Sequence, residues 1–524
     1  MIQGQLFDRY EVWGRLSGGG MSEVYLGKHV ALSAPVVVKT IAPVLADRED
    51  VAAGVHRSAR LVARVASPHV VRVLDVGDAE LRDGRRTPCV VEEYVDGLDL
   101  AELAAARREA LRRPLPLWAV AEWTAQAAQG LHAAHQAGVI HRDVKPANLF
   151  LEGESRVKVG DFGVAVEAAA AEGSRAAGTV DYMAPEQLLG EGVDRRADLW
   201  SLGATAFALR YGLAPFASSS DAARPEVPPR FPPATSPDEA YFQHVLERLL
   251  ARRPEARPRT AGTTAAVLRQ LARTIHPRLP TRRQGRYLQA GGCRLAFEVG
   301  DIAAVPCDAV VNSAYAEMRM DDGVGAALVR AGGAAIEEEA RAGGERALGA
   351  CVPTTAGSLP CRAVLHAVSA WRRVSCVGRA MHRALAIAER EGYRRLAVPA
   401  LGTGRGGITV EASGHAIASA LRLHLQLGTV HLDEVRFVFA DEPTRDVFAE
   451  VVSAVFLSAY DAIRSSEGEE RDELGDGRHG LPMSHEDFHA PTRLGDGAEP
   501  PDALPRERTR PERLPPSEDF EEGG

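Results

Sequence analysis

The chain has 524 residues, which is enough for two or three domains, and 45% of them are hydrophobic, which is sufficient for sizeable cores. Its formal net charge of −9 comes from the C-terminal tail, because residues 465–524 hold 17 acidic against 7 basic side chains. The rest of the chain is close to neutral, and this balance argues against a nucleic-acid partner.

Cysteine spacing and hydropathy exclude several classes of protein. The six cysteines show no CxxC pair, so we expect neither a zinc site nor a disulfide framework. Charged residues appear by Asp8 and Arg9, with no apolar segment of the kind found in a signal peptide. The longest uncharged stretch, residues 123–141, contains three glutamines and three histidines and is too polar to cross a bilayer comfortably. We therefore expect a cytoplasmic protein without a membrane partner.

The first block of the chain begins with a glycine-rich turn between strands. The stretch YEVWGRLSGGGMSEVYLGK predicts two alternating strands around this turn, and a third strand follows that ends at Lys39. Such a turn alone is common in hairpins. The motifs HRDVKPANLF at residue 141, DFG at 161, APE at 184 and DLWSLG at 198 then follow in one direction. Their order and spacing make the pattern specific.

With these motifs, residues 8–275 resemble the protein kinase family, and in particular the bacterial Ser/Thr kinases of the eukaryotic type. The resemblance implies a bilobal α+β fold that binds ATP between its lobes and transfers a phosphoryl group to a serine or threonine of a protein substrate. It also implies that Asp143 accepts the hydroxyl proton, while Lys39 binds the α- and β-phosphates and Lys145 steadies the γ-phosphate.

The resemblance assigns the remaining contacts of the nucleotide as well. Magnesium ligands are expected at Asn148 and Asp161. The expected ATP contacts are Leu16, Ser17, Gly18, Gly19, Gly20, Val24, Lys39, Glu93 and Val95. Two further pairs are expected to support the fold: Glu186 with Arg257, and Asp198 with the backbone of the catalytic loop.

Two departures from the family pattern concern the glycine-rich turn and the partner of Lys39. Ser17 replaces the first glycine of the turn, and Ser58 stands where the family has the helix glutamate that pairs with this lysine. Glu92 aligns with the gatekeeper position behind the adenine pocket. Because a carboxylate buried there would need a cation, we expect Glu92 to pair with Lys39. The alternatives are a side chain that points elsewhere and an exposed strand position, and a pseudokinase remains the alternative for the whole block.

We expect residues 276–286 to be a Pro/Arg-rich linker, residues 287–462 to form a second domain, and residues 463–524 to be an acidic, Pro/Gly-rich disordered tail. The stretch FEVGDIAAVPCDAVVNSAYAEMRMDDGVGAAL predicts a strand, a Gly-Asp turn, a second strand ending at Asn312, a glycine-containing loop and a helix. Downstream, RRLAVPAL, GTGRGG and VEASGHAIASALRLHL predict a strand, a glycine loop and a helix, an arrangement that presents backbone N–H groups to a diphosphate. A plain turn is the alternative.

These fragments together resemble a macrodomain, which implies an α/β/α fold that binds ADP-ribose or an ADP-ribosylated protein. By this resemblance Asp301 holds the adenine amino group, Asn312 contacts the distal ribose, and the loop from Gly323 to Ala326 lies on one side of the diphosphate. The expected ADP-ribose contacts are Asp301, Ile302, Asn312, Gly323, Val324, Gly325, Gly402, Thr403, Gly404, Arg405 and Gly406.

The hydrolytic members of this family often have a second asparagine and an acid that are missing here. Tyr315 replaces the asparagine and Gly325 occupies the place of the acid. We therefore favour a binding module over an ADP-ribosyl hydrolase, which stays the alternative. His366 is expected to have a structural role.

Overall fold

The computed structural model describes residues 4–18, 22–41, 49–80, 84–153, 155–162, 180–224, 227–371, 374–404 and 406–457. Gly19, Gly20, Arg405 and the tail predicted over residues 463–524 lie outside these described residues. The N-terminal half (residues 4–275) and the C-terminal half (residues 281–457) belong to the same compact unit.

The N-terminal half opens with a six-stranded antiparallel sheet in the order β1-β2-β3-β4-β6-β5, counted over the described residues. Its strands are β1 (Gly4–Leu6), β2 (Tyr10–Gly18), β3 (Ser22–His29), β4 (Ala34–Ile41), β5 (Val73–Glu80) and β6 (Arg86–Glu93). Helix α1 (Glu49–Val62) packs Val51, Val55 and Ala59 against Ile41 and Val90 of this sheet. The predicted strands on both sides of the glycine turn are confirmed.

A mainly helical lobe follows. Its helices are α2 (Leu100–Leu111), α3 (Leu117–Gln136), α4 (Pro185–Leu189), α5 (Arg196–Tyr211), α6 (Ser219–Ala223), α7 (Pro237–Leu249) and α8 (Ala261–Ile275). A small hairpin, β7 (Leu149–Glu152) and β8 (Arg156–Val159), lies beside α3. Ser236 and Thr260 cap α7 and α8, because each side-chain oxygen accepts the backbone N–H three residues on. The two lobes confirm the predicted bilobal fold.

The C-terminal half is built on a mixed sheet with nine strands among the described residues. Its strands are β9 (Thr281–Gln284), β10 (Tyr287–Ala290), β11 (Cys293–Val299), β12 (Ala309–Tyr315), β13 (Cys351–Thr355), β14 (Ala363–Trp371), β15 (Val374–Ser375), β16 (Arg395–Val398) and β17 (Glu434–Phe439). Their order is β13-β14-β12-β16-β17-β11-β10-β9, with β15 paired to β14. The central pairs from β14 to β11 are parallel, and the outer pairs are antiparallel.

Helices cover both faces of this sheet. They are α9 (Gly323–Gly332), α10 (Ala335–Arg341), α11 (Val377–Arg390), α12 (Val410–Gln426) and α13 (Glu442–Phe456). Val311 and Leu365 point to the core beneath α11, α12 and α13, whereas their neighbours Val310 and Val364 point to the core beneath α9 and α10. This alternation is the period of two that a strand imposes. The α/β/α architecture is as predicted.

Two segments differ from the sequence-based expectation. Residues 281–284, placed in the linker, form β9 and pair with β10, so the sheet begins before residue 287. The stretch from Gly323 to Ala326 was wrongly predicted to be a loop, because it forms the first turn of α9. A glycine costs a helix only about 1 kcal/mol relative to alanine, and the alanines and leucine that follow are strong helix formers. None of the helices among the described residues is long and apolar enough to span a bilayer.

An ion pair inside the helical lobe fixes the start of α4. Arg257 is fully buried, and its Nη1 and Nη2 atoms donate to the two carboxylate oxygens of Glu186 at 2.6 and 2.9 Å. The same guanidinium donates to the carbonyl oxygens of Arg196, Ala251 and Arg252. The predicted pairing of Glu186 with Arg257 is confirmed. The side chain of Arg257 donates to every one of these acceptors.

We expect Arg257→Met to lower the free energy of unfolding by about 3–5 kcal/mol, because the variant leaves a buried carboxylate without its cation. The measurement is urea denaturation of the full chain, followed by circular dichroism. Arg253→Met, on the exposed side of the same loop, is the control and should change stability by no more than about 0.5 kcal/mol. Equal stability of the two variants would contradict the role of the pair.

Candidate functional site

The side chain of Lys39 is buried between two carboxylates. Its Nζ atom lies 2.5 Å from Oε2 of Glu92 and 2.5 Å from Oδ1 of Asp161. The prediction that Glu92 pairs with Lys39 is therefore confirmed. Ser58 lies on helix α1, as the alignment placed it. The anionic partner of the lysine thus comes from a neighbouring strand instead of from this helix.

The register of the sheet explains why Glu92 reaches the lysine. Strands β4 and β6 are antiparallel, with Lys39 opposite Val90 and Val37 opposite Glu92. Residues two apart on a strand project from the same face, so Glu92 is a diagonal neighbour of Lys39. A long carboxylate side chain spans that diagonal.

Lys39, Glu92 and Asp161 shift one another's pKa values. Burial alone would lower the pKa of Lys39, but the attraction of Asp161 and Glu92 outweighs it and raises this pKa above its usual range. Burial raises the pKa of Glu92 in spite of the nearby ammonium. Desolvation also acts on Asp161, but the charge of Lys39 outweighs it and lowers the pKa of that carboxyl. Lys39 is therefore held as a cation and Asp161 as an anion at neutral pH.

Asp198 braces the catalytic loop, as predicted. This fully buried carboxylate accepts the backbone N–H groups of His141 and Arg142 at 2.8 and 2.7 Å, and it contacts the ring of His135 at 2.7 Å. Arg142 has a φ of 66°, a left-handed conformation that costs a non-glycine residue free energy. The bonds to Asp198 hold that strained turn and thereby position Asp143.

Asp143 has one carboxylate oxygen engaged and one free. Its Oδ2 atom accepts from Lys145 Nζ at 2.9 Å and from Asn148 Nδ2 at 3.2 Å. The Asn148 amide also donates to the Asp143 carbonyl oxygen at 2.8 Å. Oδ1 is buried and has no hydrogen-bond partner among the described residues. A buried acceptor without a donor is rare, and this one suits an incoming hydroxyl group.

Oxygen donors suited to magnesium lie beside this group. Asn148 and Asp161 offer an amide and a carboxylate, the hard ligands that Mg²⁺ prefers. Across the described residues, no cluster of three or more His, Cys, Asp or Glu side chains could hold a metal ion. A magnesium ion here would therefore need phosphate oxygens to complete its shell, which is its usual mode in nucleotide enzymes. The residues present fit such a site.

Several of the predicted ATP contacts lie on strands of the first sheet. Ser17 and Gly18 are in β2, opposite Val24 and Glu23 of β3. The segment of residues 93–97, here called the hinge segment, leaves β6 towards the helical lobe. Lys158 Nζ and the Arg72 N–H donate to the Glu93 carboxylate at 2.8 and 2.9 Å.

In the second half, Asn312 belongs to a buried polar network with His366 at its centre. Its Nδ2 atom faces Nδ1 of His366 at 3.1 Å, and Nε2 of His366 faces Oγ1 of Thr354 at 2.9 Å. Burial lowers the pKa of His366 to about 4, so the imidazole is neutral at pH 7. Oδ1 of Asn312 is buried and has no hydrogen-bond partner within the described part of the chain. This oxygen suits a hydroxyl donor such as a ribose.

The glycine loop at residues 402–406 folds tightly against β12. The N–H of Gly402 donates to Oγ of Ser313 at 3.1 Å, and Gly402 has a φ of 76°. A Cβ atom on Gly406 would approach the Gly402 oxygen to 2.4 Å, whereas one on exposed Gly404 would meet only the Tyr315 hydroxyl, at 3.4 Å. The loop therefore requires glycine at 402 and 406 for its fold, and position 404 is open.

The remaining predicted contacts of ADP-ribose occupy two turns. Asp301 caps the short 3-10 helix Ile302–Ala304 by accepting the Ala303 N–H at 3.0 Å. Gly323, Val324 and Gly325 form the start of α9, where backbone N–H groups lack partners inside the helix. An anion could therefore bind to this turn as it would to the predicted loop.

Sequence motifs did not indicate Ser313 and Asp96, which join these sites to their surroundings. Ser313 supports the glycine loop. Asp96 accepts the N–H groups of Gly378 and Arg379 at the start of α11. One signal was present: α11 begins without a serine, threonine, aspartate or asparagine at its N-cap, which is Cys376.

Comparisons with known proteins agree with the two halves. The model of the family described as "Protein kinase domain" matches residues 10–268, and the model described as "Macro domain" matches residues 311–417. The chain is 34% identical over 280 residues to the serine/threonine-protein kinase PknB of Mycobacterium leprae, a match that covers 53% of this chain and 42% of that protein. It is 36% identical over 250 residues to the serine/threonine-protein kinase Pkn1 of Myxococcus xanthus, which covers 45% and 34% respectively.

The chain thus spans about two fifths of the length of PknB. Among solved structures, the kinase domain of PknI from Mycobacterium tuberculosis is similar at 32% identity, with a TM-score of 0.43, over 52% of this chain and 99% of that chain.

We expect Glu92→Met to lower both ATP affinity and the rate of phosphoryl transfer, by about tenfold or more in kcat/KM. Methionine is similar to glutamate in length, but it leaves Asp161 as the remaining one of the two carboxylates that contact the Lys39 ammonium. Calorimetry with a non-hydrolysable ATP analogue and a labelled-ATP assay measure the two effects. Glu80→Met, at the exposed end of β5, is the control. Undiminished affinity and turnover of Glu92→Met would refute the role of the pair.

Proposed function

Because the chain combines a protein kinase domain with a Macro domain, we propose that it phosphorylates serine or threonine in proteins with ATP and magnesium, and that it binds ADP-ribose through its C-terminal half. The observation that carries the kinase proposal is the buried Asp143 Oδ1 atom, which has no partner among the described residues and lies beside Lys145 and Asn148.

In this proposal each residue of the catalytic loop has one task. Asp143 Oδ1 accepts the hydrogen bond of the substrate hydroxyl and then its proton, while the bond from Lys145 keeps the carboxylate oriented. Lys39, fixed by Glu92, presents its ammonium to the phosphates. Asn148 and Asp161 would hold Mg²⁺, which supplies charge neutralisation on the transferred group. Positioning and electrostatics thus account for most of the catalysis.

Three observations favour an active kinase over a pseudokinase scaffold. Lys39, Asp143, Asn148 and Asp161 are all retained. The partner of Lys39 has moved to Glu92 instead of being lost, so the ammonium is held without the helix glutamate. Asp161 has a φ of 61°, and strained conformations of this kind persist mainly at functional sites.

The C-terminal half is proposed to bind ADP-ribose without hydrolysing it. Asn312 Oδ1 would accept a hydroxyl of the distal ribose, and the loop at residues 402–406 would face the diphosphate from one side. The first turn of α9 would face it from the other. Gly325 has no side chain to serve as an acid or base, and a Cβ there would approach Met320 to 3.1 Å. This crowding leaves no room for a carboxylate without a shift of the backbone.

We expect Asp143→Asn to reduce phosphoryl transfer by about 10²- to 10⁴-fold, the usual contribution of a positioned base, and to leave nucleotide affinity unchanged. Autophosphorylation and transfer to a generic basic protein are measured with labelled ATP, and affinity is measured by calorimetry. Asp238→Asn, on α7 and away from the site, is the control. Similar turnover of the two variants would overturn the kinase proposal.

We expect Gly404→Leu to weaken ADP-ribose binding by at least about 100-fold, because the side chain would occupy the space of the diphosphate while the loop keeps its fold. The measurement is calorimetry on the full chain, with the ATP site filled by a non-hydrolysable ATP analogue. Gly292→Leu, where an added Cβ meets nothing within 4 Å, is the control. Absence of binding by the unaltered chain, or unchanged affinity of Gly404→Leu, would reject the proposed site.

A further inference from the structure

Helix α11 of the C-terminal half is capped by a residue of the N-terminal half. The residue at its own N-cap, Cys376, makes no side-chain capping bond. The two carboxylate oxygens of Asp96, in the hinge segment, accept the N–H groups of Gly378 and Arg379 at 3.1 and 3.0 Å instead. A carboxylate at a helix N-terminus is stabilised by both the hydrogen bonds and the helix dipole.

Side chains around this cap tie the same two elements together. The thiol of Cys376 donates to Asp96 Oδ1 and contacts the hydroxyl of Tyr94, both at 2.9 Å. Burial raises the pKa of Cys376 well above its usual value, so the thiol keeps its proton. Nε of Arg379 donates to the carbonyl oxygen of Gly97 at 2.6 Å, and the guanidinium lies 5.9 Å from the Tyr94 ring.

Complementary charges extend the contact along two helices. Arg383 of α11 lies 2.5 Å from Glu102 of α2, and Arg390 lies 3.4 Å from Glu109. The arginines project from one face of α11, as do the glutamates from one face of α2, so the pairs fix the register of the two helices. Their exposure makes each pair worth little by itself. The cap at Asp96 is therefore the specific contact.

On the N-terminal side, the junction adjoins the proposed adenine site. Leu26 and the partly buried Leu16 and Tyr94 form one apolar cluster with Leu348 and Cys376 of the C-terminal half. Leu16 is an expected ATP contact. Val95, another expected contact, directly precedes the capping Asp96. Movement of the junction would therefore displace groups that face the base.

On the C-terminal side, hydrogen bonds lead from the junction to the glycine loop. The N–H of Cys376 donates to the carbonyl oxygen of Ser369 at 2.9 Å, and the hydroxyls of Ser369 and Ser313 lie 3.0 Å apart. Ser313 then accepts the N–H of Gly402. Val377, the first residue of α11, packs so close to Gly402 that an added Cβ would lie 3.1 Å from its Cγ2.

We propose that this junction couples the two nucleotide sites, so that ADP-ribose on the loop at residues 402–406 tightens the binding of ATP to the kinase domain. The proposal rests on the function proposed above for each half. A ligand that orders the glycine loop also orders Val377 and the start of α11, and that turn holds Asp96 and Tyr94 of the hinge segment. ATP then binds to a segment already ordered, and its affinity rises. By linkage, ATP tightens ADP-ribose binding by the same factor.

The test is calorimetry of a non-hydrolysable ATP analogue with magnesium on the full chain, with and without saturating ADP-ribose. We expect the Kd of the analogue to fall about fivefold when ADP-ribose is present. Gly404→Leu is the control for binding of ADP-ribose in the ATP site. If ADP-ribose still changes the Kd of the analogue in this variant, the effect does not arise from the glycine loop. That result would overturn the proposal.

Two variants locate the coupling. Asp96→Ala removes the acceptor of the Gly378 and Arg379 N–H groups, and it should abolish the fivefold shift while each ligand alone still binds. Arg390→Met, at the exposed end of α11, should retain the shift. If both ligands bind to the unaltered chain but neither changes the affinity of the other, the coupling is wrong and the proposed function stands. If ADP-ribose does not bind at all, the proposed function itself fails. A full shift in Asp96→Ala would show that the junction does not carry the coupling.

Discussion

The buried ammonium of Lys39 is the constraint on which the first half depends, because a cation inside a protein must have an anion in contact. Strand β6 supplies that anion through Glu92. Side chains alternate along a strand, so the next residue, Glu93, turns to the opposite face and binds Lys158. Tyr94 and Asp96 then reach the C-terminal half. One short segment thus positions Lys39, fixes the path of the hinge segment and holds the second domain.

The two candidate sites share one physical feature, which is a buried oxygen atom that has no donor among the described residues. At Asp143 the engaged oxygen is held by Lys145 and Asn148, and at Asn312 a neutral His366 fixes the amide so that its oxygen points away from the network. Leaving such an oxygen unpaired costs about 1–3 kcal/mol. The neighbouring networks keep that cost from being relieved by rotation of the side chain. A hydrogen-bond donor from a ligand would remove this free-energy cost. These two oxygen atoms therefore support the proposed binding functions.

Much of the fold was predictable because local sequence patterns determine its helices, strands and turns. Ordered motifs indicated both halves, and the need of a buried carboxylate for a cation predicted the pair of Glu92 with Lys39 before its geometry was known. Local signals also failed in understandable ways. Glycines at 323 and 325 suggested a loop, although the alanines beyond them favour a helix. The contact between Asp96 and Cys376 joins residues 280 positions apart, and no periodicity or motif encodes such a pairing. The one sequence signal of this contact was the lack of a capping residue type at position 376, where α11 begins.

A shared cap couples two domains differently from a shared apolar patch. Apolar surfaces slide with little change in free energy, because the hydrophobic effect is not directional. The bonds from Gly378 and Arg379 to Asp96 are directional, and withdrawal of the carboxylate would leave the first turn of α11 with unsatisfied N–H groups. That turn also packs on the glycine loop through Val377. Separation of the halves would therefore fray the element that supports one proposed nucleotide site and release the segment that borders the other, so the two proposed sites are coupled through this cap.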